Sequence, residues 1–275
     1  MLGSLQSSAE LEFQLDDQAR TFLAKRRGGG LFHFSKPYRY GDTLALQVVN
    51  PTAGLFDGDR MDFDVHVRAG AQVALTSPSA TRFYTMKRKR ALVRQRFHIE
   101  AGGWLEYQPN VTVPQRDSTV DQEISIDLSS GSEMVFVDQI SPGRLKHGEQ
   151  YLYRRFSSSF SLRHNGVPQA IERMVLEPHL GGWPLVVPGW EVALFGAVWL
   201  VKDNLHTHFH TLAEIERDLQ KDDLLCGFTA LSDQVAVFRL LAPRSTILRQ
   251  SLKEIRASLN PIFPEHPFNP RLQQP

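Results

Sequence analysis

The stretch from Asn50 to Met86 constrains the fold most tightly, because several local signals follow one another in it without a break. Asn50-Pro51-Thr52-Ala53-Gly54-Leu55-Phe56-Asp57-Gly58-Asp59 reads as a turn-rich loop, since Pro fixes φ near the turn value and Gly reaches conformations other residues resist. Met61, Phe63, Val65 and Val67 then alternate with Asp62, Asp64 and His66, which is the period-2 pattern of a half-buried strand. Ala69-Gly70-Ala71 supplies a turn, and Val73 to Tyr84 continues as further strand. The stretch predicts a meander of short strands.

The same grammar runs from Leu11 to about Val201 with no convincing helix. Leu11-Phe13-Leu15, Leu44-Leu46-Val48, Val93 with Phe97 and Ile99, Ile124-Ile126-Leu128, Met134-Phe136 and Phe160-Leu162 each alternate between Gly, Pro, Asn, Asp or Ser boundaries. No fixed period stands out, so a regular repeat is not demonstrable. Pro178 to Gly189 reads as a loop before a last central strand, Val192 to Val201. After it the pattern changes. Thr211-Leu212-Ala213-Glu214 has the form of a capping box at a helix start, and Leu212, Ile215 and Leu219 recur at helical spacing. A strand pair is predicted near Leu224 to Phe228 and Val235 to Leu240. A second helix is predicted over Thr246 to Leu259, with an extended tail from Pro261. The expectation is a single domain over residues 1–275: β-rich over 10–201, mixed over 202–260 and extended over 261–275.

Thirty-one Lys and Arg against 30 Asp and Glu leave a formal charge of +1, which gives no electrostatic reason to expect nucleic acid or an anionic membrane. Cys226 is the one cysteine, which rules out an intrachain disulfide. The first ten residues lack the basic and apolar regions of a signal peptide, and the apolar run at 192–201 has about half the length that spans a bilayer. A cytoplasmic location is expected.

Familiar catalytic signatures are missing: no Gly-x-Ser-x-Gly elbow, phosphate loop, dinucleotide fingerprint, His-Glu-x-x-His or Cys-x-x-Cys. His206, His208 and His210 form the one metal-like cluster, read either as ligands of a metal-dependent hydrolase with a distant carboxylate such as Glu191 or Asp233, or as a solvated loop. Lys87-Arg88-Lys89-Arg90 reads as a solvated hairpin tip, with docking of an acidic protein as the alternative. Trp104, Trp183, Trp190 and Trp199 are too irregularly spaced to support a polysaccharide-binding solenoid. Asp57, Asp59, Asp138 and Glu172 stand at strand ends or among apolar residues. Carboxylates are costly to bury alone, so these either pair with Arg82, Arg144 or Arg173 or line a path that hands a divalent cation from oxygen to oxygen.

At this point the chain resembles the UreD (UreH) family of urease accessory proteins. The family's most recognisable segment reads Pro-Pro-Gly-Gly-Leu-x-Gly-Gly-Asp, an alternating strand, then Gly-Ala-x-x-x-Leu-Thr-Thr-x-x-Ala-Thr-Lys-x-Tyr. Pro51 to Asp59 and Gly70 to Tyr84 fall in the same order at the same spacing. Leu105-Glu106 with Pro109, Asp138 with Gly143-Arg144, Glu149, and Glu172-Arg173 resemble later family motifs. Ala53 and Asp57 depart from the usual Gly, Arg82 from the usual Lys, and Leu272 from a usual Trp.

The resemblance implies a mainly β fold, a wound β-helix-like stack of short strands with two α-helices in the C-terminal half. It implies a non-catalytic metallochaperone scaffold that binds UreF, recruits the GTPase UreG through it, and docks on apo-urease to deliver nickel, held only in transit. On that resemblance Asp59, Thr81, Asp138 and Glu172 are candidate nickel-channel residues, Arg82, Arg144 and Glu149 their ordering partners, and Pro51, Gly54 and Gly58 the loop motif.

Overall fold

The computed structural model describes residues 4–180, 187 and 189–269. Its strands form a seven-stranded sheet, an eleven-stranded sheet and a small ribbon. The two large sheets are wound together as a solenoid. The strands flanking the Gly70 turn do not form a hairpin, contrary to the meander expectation: Arg60–Val67 lies in the seven-stranded sheet and Gln72–Thr76 in the other. The cause is the turn itself. Gly70, at φ +71°, donates its amide to the Ala101 carbonyl of the next turn along the stack rather than closing on its own strand. Through this central part the chain changes sheet from strand to strand and returns one rung further on, and the strands pair in parallel: Arg60–Val67 with Ala91–Ile99, and Ala91–Ile99 with Thr119–Leu128.

The rungs explain why no period is visible. Val73 faces Leu105 and Leu105 faces Met134, steps of 32 and 29 positions, whereas Asp121 faces Ser157, a step of 36. The loops absorb the difference. Lys87–Arg90 belongs to such a loop, linking Thr81–Phe83 in one sheet to Ala91–Ile99 in the other, and so is not a hairpin tip.

Phe63, Val65, Phe97, Ile124 and Ile126 of one sheet pack between the sheets against Val73, Leu75, Leu105 and Phe136 of the other. The eleven-stranded sheet buries its second face too: Trp104, Val135, Val198 and Leu200 lie under α1 (Phe209–Leu219) and α2 (Ser245–Ser258). This double burial accounts for the unbroken apolar run of Leu194–Val201. The outer face of the seven-stranded sheet meets water and carries cross-strand pairs such as Arg96–Asp64 and Arg94–Glu123.

Two local expectations are corrected. Helix α1 starts at Phe209, so Thr211 and Glu214 lie inside it and no side chain caps its start. The 3₁₀ turn Leu205–His208 feeds directly into the helix, and its backbone bonds, Thr207 to Asn204 and Phe209 to His206, do the work of a cap. Beyond Pro261 the chain folds into turns rather than extending, because Ile262 and Phe263 are buried, the latter with its ring 5.3 Å from that of Trp104. Most of the 178–189 loop, Trp183 and the chain from Pro270 lie outside the described residues.

Candidate functional site

Inward positions of the solenoid are apolar along most of each strand and polar at one level. On Ala91–Ile99 the inward series runs Ala91, Val93, Gln95, Phe97, Ile99; on Thr119–Leu128 it begins Val120, Gln122, Ile124. Gln122 faces Ser158 on the neighbouring strand, its Nε2 3.3 Å from Oγ. Tyr107 donates to Gln95 Oε1 at 2.7 Å. Between this polar layer and the facing sheet lies a cavity of about 60 Å³, whose wall includes Thr81, Gln95, Tyr107, Thr112, Gln122 and Asp138. A cavity of that size holds a few water molecules, at roughly 10–15 Å³ each. A smaller void of about 10 Å³ adjoins it across Asp138 and is walled by Ser158, Glu172 and Trp199.

Asp138 is only partly buried, because it faces the cavity, but it lies deep in the protein. Burial pushes its carboxyl up to about 6; the Gln139 amide and the Gln122 side chain oppose that shift, and the nearby Glu172 charge adds to it. Tyr107 is also pushed up, by burial and by Asp138. Glu172, on Val167–Leu176, accepts a hydrogen bond from Arg239 on Val235–Ala242.

The structure thus brings Thr81, Asp138 and Glu172 to adjoining voids and places Asp59 elsewhere. Asp59 is buried and both its oxygens accept amides, Leu5 N at 2.8 Å and Phe56 N at 2.7 Å, fastening the start of the first strand to the loop. Arg82 is exposed; its backbone carbonyl accepts the Leu55 amide at 2.8 Å. Arg144 and Glu149 form a two-pronged pair at 2.8 and 2.5 Å, and Arg144 holds the Glu149 carboxyl below the usual range. In the loop Pro51 is exposed, while Gly54, at φ +152°, lies so close to the chain that a Cβ would stand 2.3 Å from the Arg82 carbonyl oxygen. At Gly58, φ +85°, a Cβ would meet Lys89 at 2.7 Å. Asp57, a departure from the family pattern, accepts the amides of Lys87, Arg88 and Lys89 and anchors that basic loop.

The histidines do not assemble. His206 and His208 sit in the 3₁₀ turn and His210 in α1, where His210 reaches Glu214 at 3.5 Å. Among the described residues no group of three His, Cys, Asp or Glu is placed to hold a metal ion, and the hydrolase reading has no support. Sequence reading also passed over a buried ion pair. Glu106 accepts from Arg256 of α2 through both oxygens, at 3.0 and 2.9 Å, and Arg256 also donates to the His266 carbonyl at 2.6 Å. Arg239, the partner of Glu172, was equally unforeseen. Gln95 and Gln122 had left a trace, as polar interruptions in an otherwise apolar inward series.

This geometry defines a β-solenoid enclosing two adjoining polar-walled cavities that share Asp138, with Glu172 on the wall of the smaller. Known proteins narrow the class. The UreD urease accessory protein family matches residues 6–274. The urease accessory protein UreD of Opitutus terrae is 35% identical over 249 residues, covering 87% of this chain and 89% of the relative. That of Pseudomonas entomophila is 26% identical over 272 residues, covering 96% and 93%. The chain belongs to the UreD family of urease accessory proteins. Among its described residues no helix is long and apolar enough to cross a membrane.

Proposed function

We propose that this protein is a non-catalytic cytoplasmic scaffold in urease maturation: it binds UreF, recruits UreG through UreF, docks on apo-urease and passes nickel through its interior. One observation carries the reading. Thr81 and Asp138 line the larger cavity, Asp138 and Glu172 line the smaller, so oxygens from distant parts of the sequence follow one another along the inside of the solenoid. A cation met by one carboxylate at a time keeps much of its own water and is held weakly enough to leave, which suits cargo rather than a resident metal. Asp138, at about 6, ionises near neutral pH and exchanges a proton for a cation at small cost. Asp59 enters in a different role, fixing the loop that flanks the passage. The exposed apolar side chains of the edge strand Val167–Leu176, Val167, Ile171 and Val175, support a life in complexes.

The test is co-expression with a urease operon and affinity capture on this chain. Recovery of UreF, UreG and apo-urease subunits is expected. Asp138→Asn is expected to recover the same partners while the captured urease carries less nickel. A clean monomer without partners, or unchanged nickel in urease matured with Asp138→Asn, refutes the reading.

A further inference from the structure

The geometry points to Arg239 as a built-in counter-ion that gates the passage at Glu172, an inference that rests on the cation path proposed above. Asp138 faces Ala197 across the Glu133–Ile140 and Leu194–Val201 strands, Ala197 faces Arg239 on Val235–Ala242, and Arg239 faces Gly227 on the edge strand Leu225–Ser232. Asp138, Ala197, Arg239 and Gly227 therefore form one cross-strand row. Adjacent strands are roughly 4.8 Å apart, so Arg239 stands only two strand spacings from Asp138, with the short side chain of Ala197 between them. Gly227 leaves open space on its far side, where an added Cβ would meet nothing.

From this position the Arg239 guanidinium reaches the Glu172 carboxylate, with its centre 5.6 Å from the Trp199 ring centroid. Glu172 and Trp199 are also walls of the void that touches Asp138. A monovalent cation carried by the chain thus occupies the outer carboxylate of the path, and with Arg239 in place Glu172 offers a divalent ion no net charge. Both partners are partly exposed, Arg239 at 39% and Glu172 at 28%, so the arginine has water to swing into and the Trp199 face to rest on. Its departure leaves two carboxylates flanking the void. The gate opens by competition: a divalent cation displaces Arg239 from Glu172, is shared with Asp138 and moves inward, and the arginine returns behind it.

The test measures Ni²⁺ binding to the purified full-length protein, alone or in its captured complex, by equilibrium dialysis with Ni²⁺ as the only probe. Arg239→Gln is expected to bind Ni²⁺ up to about fivefold more tightly, the size appropriate to removing one partly exposed competing charge. Asp138→Asn is expected to lose binding in both the native and the Arg239→Gln backgrounds. Unchanged or weaker binding by Arg239→Gln, with binding still lost in Asp138→Asn, overturns the gate and leaves the path standing. Unchanged binding by Asp138→Asn overturns the path itself. If Arg239→Gln does not fold, a structure of the native protein loaded with Ni²⁺ decides: the Arg239–Glu172 contact is expected to be broken, and an intact contact beside a bound ion overturns the gate.

Discussion

The Trp104–Gln108 and Glu133–Ile140 strands lie side by side in one sheet, and each turns a carboxylate to a different face, Glu106 buried and Asp138 partly so. Glu106 points into the layer under α2 and meets Arg256, whose guanidinium also holds the His266 carbonyl; the side chains of the pair are 4% and 2% exposed. Asp138 points between the sheets, into a cavity, with a glutamine and an amide for partners and another carboxylate nearby. The contrast separates two uses of a buried acid. Glu106 ties a helix and the following turns to the solenoid, and its charge is consumed in doing so. Among the described residues no cation pairs with Asp138, so its charge opposes folding and is free to attract something mobile.

The largest test of the contrast is Glu106→Gln. Breaking a buried pair by removing one partner leaves an uncompensated charge, here Arg256, and costs about 3–5 kcal/mol; urea denaturation is expected to show it, with α2 and the 260–269 turns losing protection first. Replacing both partners, Glu106→Met with Arg256→Leu, is expected to recover most of the loss, because nothing charged remains buried. A cost under about 1 kcal/mol for Glu106→Gln erases the distinction.

Next in size, the two regions respond to pH with opposite sign. Asp138 titrates near 6 in the fold against an ordinary 3.8, so its contribution is fully favourable below about 3.8 and is lost as pH rises through 6. His266, stacked on Trp104 with ring centroids 4.0 Å apart, is pushed down to about 4 from 6.5 by burial, Arg256 and Lys202; its contribution is present above 6.5 and is lost as pH falls toward 4. Each shift is worth about 3 kcal/mol at full extent. Asp138→Asn is therefore expected to stabilise the protein at pH 7.5 and to change nothing near pH 3.5. His266→Phe, which keeps a ring on Trp104, is expected to flatten the loss of stability between pH 6.5 and 4. Chemical denaturation at four or five pH values checks both.

The two halves of this comparison were unequally legible in the sequence. Alternation located many of the longer strands but not Thr21–Arg27, and Val167–Leu176 was read only through the resemblance; the switch to helical spacing after residue 201 located both helices. Pairing was not legible, because a parallel rung with steps of 32, 29 and 36 positions leaves no period, and a Gly turn between two strands looks the same whether the chain reverses or changes sheet. Asp138 and Glu172 were singled out as acids in apolar company, and the resemblance gave them a role. Their electrostatic company was not foreseen: Glu172 pairs with Arg239, 67 positions away, and Glu106 with Arg256, 150 positions away. Such pairs depend on the register of strands and on where a helix lands, which composition and spacing do not encode.

The smallest test is also the sharpest, because it moves by a single residue. Tyr107 follows Glu106 in the same strand, so its side chain crosses to the other face and belongs to the cavity. Its hydroxyl bonds Gln95 at 2.7 Å, and Asp138 is near enough to push the phenol up. Tyr107→Phe keeps the ring and its apolar contacts, removes one neutral hydrogen bond, and leaves Gln95 Oε1 to the water the cavity has room for. The expected cost is about 1 kcal/mol, with hydrogen exchange in α2 unchanged, whereas Glu106→Gln, one position earlier, is expected to loosen α2 and leave the Asp138 titration where it was. If Tyr107→Phe instead releases α2, or Glu106→Gln shifts the ionisation of Asp138, the sheet does not insulate its two faces, and the fold-holding acid and the cavity-facing acid belong to one coupled network.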